Sequence, residues 1–204
     1  MIAALILAAG ESRRMGSPKA LLAYPLEGGT ETTFLEHLLD VFARSKAAPV
    51  LVVIGHDAAR IRETVTWGAS RSLLNDRYRE GMLSSIRAGI DAIEALNEPR
   101  IEGVLVHPVD IPSVSAEVVD LVVARFEQTR SPIVLPVHEG RRGHPVLFSR
   151  EVFEEIRRAP DAVGARRVVW DHEGDLLEVE VRDPGIHRDV DTPDDYRRFQ
   201  KRRS

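Results

Sequence analysis

The sequence predicts an α/β fold, a doubly wound, mainly parallel sheet with helices on both faces. Two observations predict it. Short apolar runs at Ile2–Leu7, Val50–Ile54, Val104–Val106 and Ile133–Leu135 are continuous rather than alternating, as strands covered on both faces must be. Amphipathic segments separate them, and strand–helix alternation implies right-handed crossovers joining parallel strands.

The elements follow in order. Ile2–Leu7 opens the sheet. Thr33-Phe34-Leu35-Glu36 reads as a capping box that starts a helix to about Ser45, with Leu35, Leu38, Leu39 and Phe42 on one face. Asp57–Val65 is a second, shorter helix. Met82–Leu96 carries Ile86, Ile90 and Ile93 at helical spacing, and Ala116–Gln128 carries Val119, Val122 and Phe126. The last third is less regular. Strands are expected at His144–Phe148 and Leu176–Val181, and helices at Ser149–Arg158 and Thr192–Gln200. Thr192 as N-cap and Pro193 in the first turn mark the start of the last helix. With no repeat or linker, residues 1–204 read as a single domain, its tail packed back onto the sheet.

Composition narrows the function. Lys and Arg total 28 against 32 Asp and Glu, a formal charge of −4, which argues against general affinity for nucleic acid or anionic membranes. Cysteine is absent, so thiol nucleophiles, iron–sulfur clusters and Cys-ligated zinc are excluded. No apolar run approaches the ~20 residues that span a bilayer. Ile2–Ala9 lacks basic residues before it and reads better as a buried strand than as a secretory signal, so the cytoplasm is expected. There is no G-x-S-x-G elbow or H-E-x-x-H motif, and the seven His are scattered without ligand spacing.

Ligands of doubly wound sheets bind beyond the carboxyl ends of the strands. The loop Leu7-Ala8-Ala9-Gly10-Glu11-Ser12-Arg13-Arg14-Met15-Gly16-Ser17-Pro18-Lys19 lies there. Its small residues let backbone N–H groups approach anionic oxygens, and Arg13, Arg14 and Lys19 suit a polyphosphate. A solvated basic turn is the plainer alternative. The loop is neither a P-loop, because Ser17-Pro18 separates Gly16 from Lys19, nor a G-x-G-x-x-G dinucleotide loop.

The pattern Leu7-Ala8-Ala9-Gly10-x-Ser12-x-Arg14-Met15-Gly16-x-Pro18-Lys19 closely resembles the signature loop of the molybdenum-cofactor nucleotidyltransferases, in the wider nucleotidyltransferase family of nucleotide-diphospho-sugar transferase-like, Rossmann-like fold. The resemblance implies transfer of a nucleoside monophosphate from an NTP to a phosphate acceptor such as molybdopterin cofactor, with Mg²⁺ and release of pyrophosphate. It makes Lys19, Arg14 and Asp110 the catalytic candidates. Leu7, Ala8, Ala9, Gly10 and Ser12 become nucleotide-binding candidates. An acceptor enzyme is a further partner; nucleic acid and membranes are not expected.

Further segments add to this. Asn75…Gly81-Met82-Leu83-Ser84-Ser85 resembles the family's element lining the nucleotide pocket, which makes Asn75, Gly81, Ser84 and Ser85 candidate contacts; the serines could equally cap the helix. Asp110 in His107-Pro108-Val109-Asp110-Ile111-Pro112 follows a strand and resembles the family's metal-binding Asp-x-Pro, with Ile111 where cytidylyltransferases usually carry Gln. Gly143 and His144 resemble an acceptor-side segment, whereas the neighbouring Arg141 and Arg142 could equally form a solvated turn. Asp189 and Asp191 alternate, so only one can face the site; motif position selects Asp191 as the second Mg²⁺ ligand. Asp194 and Asp195 are expected to complement the helix dipole. Ala9 resembles the CTP-using branch, the GTP-using branch having Gly there, and a methyl narrows the pocket in favour of a pyrimidine. The alternatives are a sugar- or small-alcohol-phosphate nucleotidyltransferase and a non-catalytic nucleotide-binding regulator or chaperone on the same fold.

Overall fold

A computed structural model describes residues 1–26 and 28–201. Its strands are β1 (Ile2–Ala8), β2 (Ala23–Pro25), β3 (Glu31–Thr33), β4 (Val50–Ile54), β5 (Arg71–Leu74), β6 (Gly103–Pro108), β7 (Ile133–His138), β8 (Arg141–Arg142), β9 (Val146–Ser149) and β10 (Leu177–Glu180). Its α-helices are α1 (Phe34–Ala43), α2 (Ala58–Thr64), α3 (Met82–Ala95), α4 (Ala116–Thr129), α5 (Phe153–Arg158), α6 (Arg166–Asp171) and α7 (Pro193–Lys201). The main sheet runs β10-β7-β9-β6-β1-β4-β5, with β8 paired to β7, and β2 and β3 form a separate hairpin.

Most of the sheet is parallel, as expected. Ile6 of β1 pairs with Val52 on one side and His107 on the other, and Val179 of β10 pairs with Pro136 of β7. The exceptions are β9, which runs antiparallel between β6 and β7, and the two-residue β8, antiparallel to β7. Period-2 alternation divides β1 between two cores. Ala4 and Ile6 join α1 and α4 on one face; Ala3, Leu5 and Leu7 join α3 and α5 on the other. Burying continuous Val, Ile and Leu runs on both faces is the main stabilising term, at ~25 cal/mol per Å² of apolar surface.

Local signals act where expected. Thr33 Oγ1 accepts from the Glu36 amide at 3.1 Å, and Glu36 Oε2 accepts from the Thr33 amide at 3.1 Å, closing the capping box of α1. At α7 the same reciprocal pair forms between Thr192 and Asp195, so Asp195 caps as well as complementing the dipole. The tail returns to the sheet through Val179 and Phe199, both buried in the first core.

Several expectations need correction. Pairing in β9 begins at Val146, not His144, because Pro145 has no N–H to donate. The helix expected from Ser149 begins as a short 3₁₀ turn, Arg150–Val152, before α5. The β2–β3 hairpin and α6 went unanticipated; both are too short to show a period.

Candidate active site

The candidate site lies beyond the carboxyl ends of β1, β4 and β6, in a cavity of about 350 Å³. After Ala8 the chain turns tightly: the Ser12 carbonyl accepts from the Met15 and Gly16 amides at 2.9 and 3.0 Å. The Lys19 amide then donates to Ser12 Oγ at 3.2 Å, closing the loop on itself. Buried Ala20 anchors the far side, so the Lys19 side chain is held over the cavity.

There it meets both sequence-predicted carboxylates. Lys19 Nζ donates to Asp110 Oδ2 at 3.0 Å and also to Asp191 Oδ1. Arg14 Nη2 donates to the other Asp191 oxygen at 2.8 Å. The Lys19 side chain is only 11% exposed, against 68% for Arg14. Burial pushes the Asp191 carboxyl up, but hydrogen bonds and charge from Lys19 and Arg14 outweigh it and hold it below the ordinary aspartate range. Asp110 comes directly off β6. Asp191 does not come directly off β10. It follows the turn Pro184–His187, and the Val190 amide pins its segment to the Asp110 carbonyl at 2.8 Å. Asp189 lines a different hollow, with Arg141, Arg188 and Arg198.

Leu7, Ala8, Ala9, Gly10, Ser12, Arg14, Lys19, Gly81, Ser85, Asp110 and Asp191 all border the one cavity. Asn75 and Ser84 do not. Asn75 Nδ2 donates to Ser84 Oγ at 2.9 Å and Ser85 Oγ at 3.0 Å, and Ser84 Oγ lies 2.8 Å from the Gly81 carbonyl. These buried groups brace the entrance to α3. Gly81 there adopts φ 102°, ψ −178°, a conformation essentially reserved for glycine. It leaves the first turn of α3 without a side-chain cap beside the cavity.

Gly143 and His144 sit elsewhere, in an adjoining cavity of about 600 Å³ that shares Met82 with the first. Gly143 is required by close approach, since any Cβ would lie 2.5 Å from the Ile186 carbonyl oxygen. The His144 amide donates to that carbonyl at 2.8 Å. Burial lowers the His144 pKa against the opposing pull of Asp110. Arg142 is held at this cavity's rim by Glu173 and Glu178. Sequence reasoning missed Tyr78 and Met82 in the first cavity and Arg166 and Trp170 in the second. Tyr78 and Met82 fall inside the Asn75–Ser85 segment, which was the available signal.

Two carboxylates at one point supply hard oxygen donors of the kind Mg²⁺ or Mn²⁺ prefers, and such ions take one or two carboxylates with water and phosphate oxygens. The Lys19 ammonium held between them shows that the pair accommodates a cation. Among the described residues no group of three or more His, Cys, Asp or Glu could hold a metal. No described helix is long and apolar enough to cross a membrane.

The chain is similar to known nucleotidyltransferases. Residues 4–176 match the model of the MobA-like NTP transferase domain. The molybdenum cofactor cytidylyltransferase of Escherichia coli K12 is 27% identical, covering 94% of this chain and 92% of its own. A probable molybdenum cofactor guanylyltransferase of Bacillus cytotoxicus is 30% identical, over 78% of this chain and 74% of its own. Among solved structures, Rv0371c of Mycobacterium tuberculosis H37Rv aligns with a TM-score of 0.80 at 28% identity, covering 98% and 97% of the two chains. A manganese complex of the same protein aligns with a TM-score of 0.76 at 26% identity over the same shares. With a loop, a lysine and a carboxylate pair gathered at the switch of a mainly parallel sheet, the chain belongs to the family of MobA-like NTP transferase domains, which are nucleotidyltransferases.

Proposed function

We propose that this protein transfers a nucleoside monophosphate, CTP being the favoured donor, to the terminal phosphate of molybdopterin cofactor, releasing pyrophosphate with Mg²⁺ as the divalent ion. The observation that carries the reading is the Lys19–Asp110–Asp191 cluster closing the end of the Leu7–Lys19 loop. The names of the cytidylyl- and guanylyltransferase relatives support the acceptor, and the manganese complex supports a divalent ion.

The backbone N–H groups of Ala8 to Ser12 and the cations Arg14 and Lys19 bind and orient the triphosphate. Asp110 and Asp191 would hold the metal, which when bound neutralises charge on the phosphate oxygens. Lys19 occupies those carboxylates in the free protein, so an arriving triphosphate gives it a new partner and releases them. An acceptor phosphate oxygen attacks the α-phosphorus in line; the bond from that phosphorus to the β-phosphate bridging oxygen breaks, and its electrons leave with pyrophosphate. The step needs no protein nucleophile; positioning and charge neutralisation carry the rate. Gly143 and His144 place the acceptor from the adjoining cavity, where His144 offers a neutral imidazole. Gly81 and Ser85 border the nucleotide, with Asn75 and Ser84 holding them in position.

The test incubates the protein with CTP or GTP, Mg²⁺ and molybdopterin cofactor, and measures pyrophosphate and the dinucleotide product. Formation of the cytosine dinucleotide ahead of the guanine one is expected. Absence of pyrophosphate with either NTP would overturn the reading, and a preference for GTP would overturn the choice of donor.

A further inference from the structure

We propose that the Tyr78 ring sets the size limit on the donor's base, admitting a pyrimidine and excluding a purine. The inference rests on the nucleotide reading of the first cavity and adds a residue that determines its selectivity.

Four of the five charged residues lining this cavity cluster at one end, and the fifth, Arg13, is largely exposed and paired with Glu11. Arg14, Lys19, Asp110 and Asp191 gather beyond β6, where a triphosphate belongs. The neutral end lies beyond β4, two strands away across β1, or about 10 Å at the usual strand spacing. Its lining is Ala9, Tyr78, Gly81 and Ser85. Base and phosphates of one nucleotide must therefore lie in that order.

Tyr78 closes the neutral end as a partition. It lines both the 350 Å³ cavity and a separate outer hollow of about 310 Å³ that Glu11 and Arg79 also border, and it shares that wall with Ser12 and Arg13. The ring cannot retreat. A Cβ built at Gly55 would sit 2.7 Å from Tyr78 Cβ and 2.9 Å from the Ala9 carbonyl oxygen, so the side chain is already seated against bare backbone. Above it the Arg79 guanidinium lies 5.2 Å from the ring centroid, and Glu11 holds Arg79 at 3.2 Å. A purine exceeds a pyrimidine by a fused five-membered ring, smaller than the phenol ring that bars the way. Removing that phenol would open the bulkiest part of the wall, beside Ser12 and Arg13, and make the room a purine needs.

The experiment titrates wild type, Tyr78→Phe, Tyr78→Leu and Tyr78→Ala with CTP and GTP in the presence of Mg²⁺, by calorimetry. In Tyr78→Ala the CTP-to-GTP affinity ratio should fall by about tenfold or more, chiefly through tighter GTP binding. Tyr78→Leu, which keeps an apolar side chain against the core beneath α3, should fall between and serves if the alanine variant does not fold. Tyr78→Phe should keep the wild-type ratio, because the argument rests on the ring and not on its hydroxyl. An unchanged ratio in both the Ala and Leu variants, or a Phe variant that behaves like Ala, overturns the proposal. Wild-type protein that binds GTP tighter than CTP overturns it too, while leaving the nucleotide site intact. Failure of wild type to bind either nucleotide instead removes the nucleotide reading itself.

Discussion

Replacing Lys19 by Met keeps the apolar stem and removes the ammonium that separates Asp110 from Asp191. Wild-type Nζ sits 3.0 Å from Asp110 and hydrogen-bonds Asp191. Breaking a fully buried pair costs about 3–5 kcal/mol. The Asp110 and Asp191 side chains keep 27% and 23% exposure, and Arg14 still holds one Asp191 oxygen. Solvent screening therefore reduces the expected loss to about 2–3 kcal/mol at neutral pH. The sign of the pH dependence follows from Asp191, whose pKa is depressed in the folded protein despite burial because Lys19 and Arg14 favour the anion. That contribution is present above the unfolded value and is lost as pH falls through the folded one. The deficit of Lys19→Met should therefore shrink below about pH 4, where the wild-type protein loses this Asp191 contribution. Urea denaturation of both proteins across this range measures it. A deficit equal at neutral and acid pH, or one below about 0.5 kcal/mol throughout, would refute the claim that Lys19 is the electrostatic clamp of the site.

Asp110→Ala and Asp191→Ala should each remove most pyrophosphate release with the fold intact by circular dichroism, and the double variant should be little worse, because groups acting as one unit are not additive; losses that multiply would assign them separate jobs. Gly89→Ala should destabilise by about 1–3 kcal/mol through overpacking, since its Cβ would lie 2.2 Å from a Leu5 methyl carbon; an unchanged urea midpoint would contradict the packing of α3 on β1. His107 donates Nε2–H to the Ile111 carbonyl at 2.9 Å, its buried Nδ1 has no partner, and burial with nearby His144 pushes its pKa down to about 3. Its contribution to stability is thus full above the unfolded value near 6.5 and falls on acidification, by at most about 1.4 kcal/mol per pH unit; His107→Phe should flatten the stability–pH curve below about pH 6, and an equally steep variant would show that His107 is not the group titrating.

What the sequence disclosed depended on whether a local pattern was sufficient. The buried strands β1, β4, β6 and β7 are continuous apolar runs, and a doubly covered strand has no other economical pattern. The capping boxes at Thr33 and Thr192 are likewise written in adjacent residues. Direction is not: His144–Phe148 read as a strand without any sign that it would run antiparallel. Nor can residue type tell which way an amide faces. Asn75 and Ser84 suit a ligand and suit each other equally well, and the fold uses them for each other. Lys19 and Asp110 were assigned separately, to phosphate and to metal; that they bond one another across 91 positions is a property of the closed sheet alone.

The antiparallel β9 explains why the site has two chambers. A hairpin through β8 brings the chain back from β7 without a crossover helix, so β9 enters the sheet from the edge where β6 and β7 end. Its approach segment, Gly143 to Pro145, is thereby laid along the carboxyl edge, with the His144 ring 6.3 Å from that of His107 and its charge environment set partly by Asp110. A parallel strand in the same slot would begin at the opposite edge and carry His144 away from the carboxylates. Beyond His144 the second chamber is floored by Val106, Leu135 and Phe148 from three neighbouring strands and walled by α3 and α6. The Lys19 cluster gathers charge in the first chamber, while the adjoining space offers an apolar floor with Arg142, Asp161 and Arg166 also lining it. A phosphorylated acceptor with a flat ring body would enter such a pair of chambers phosphate first, its ring face on the apolar floor and its reactive oxygen directed toward Asp110.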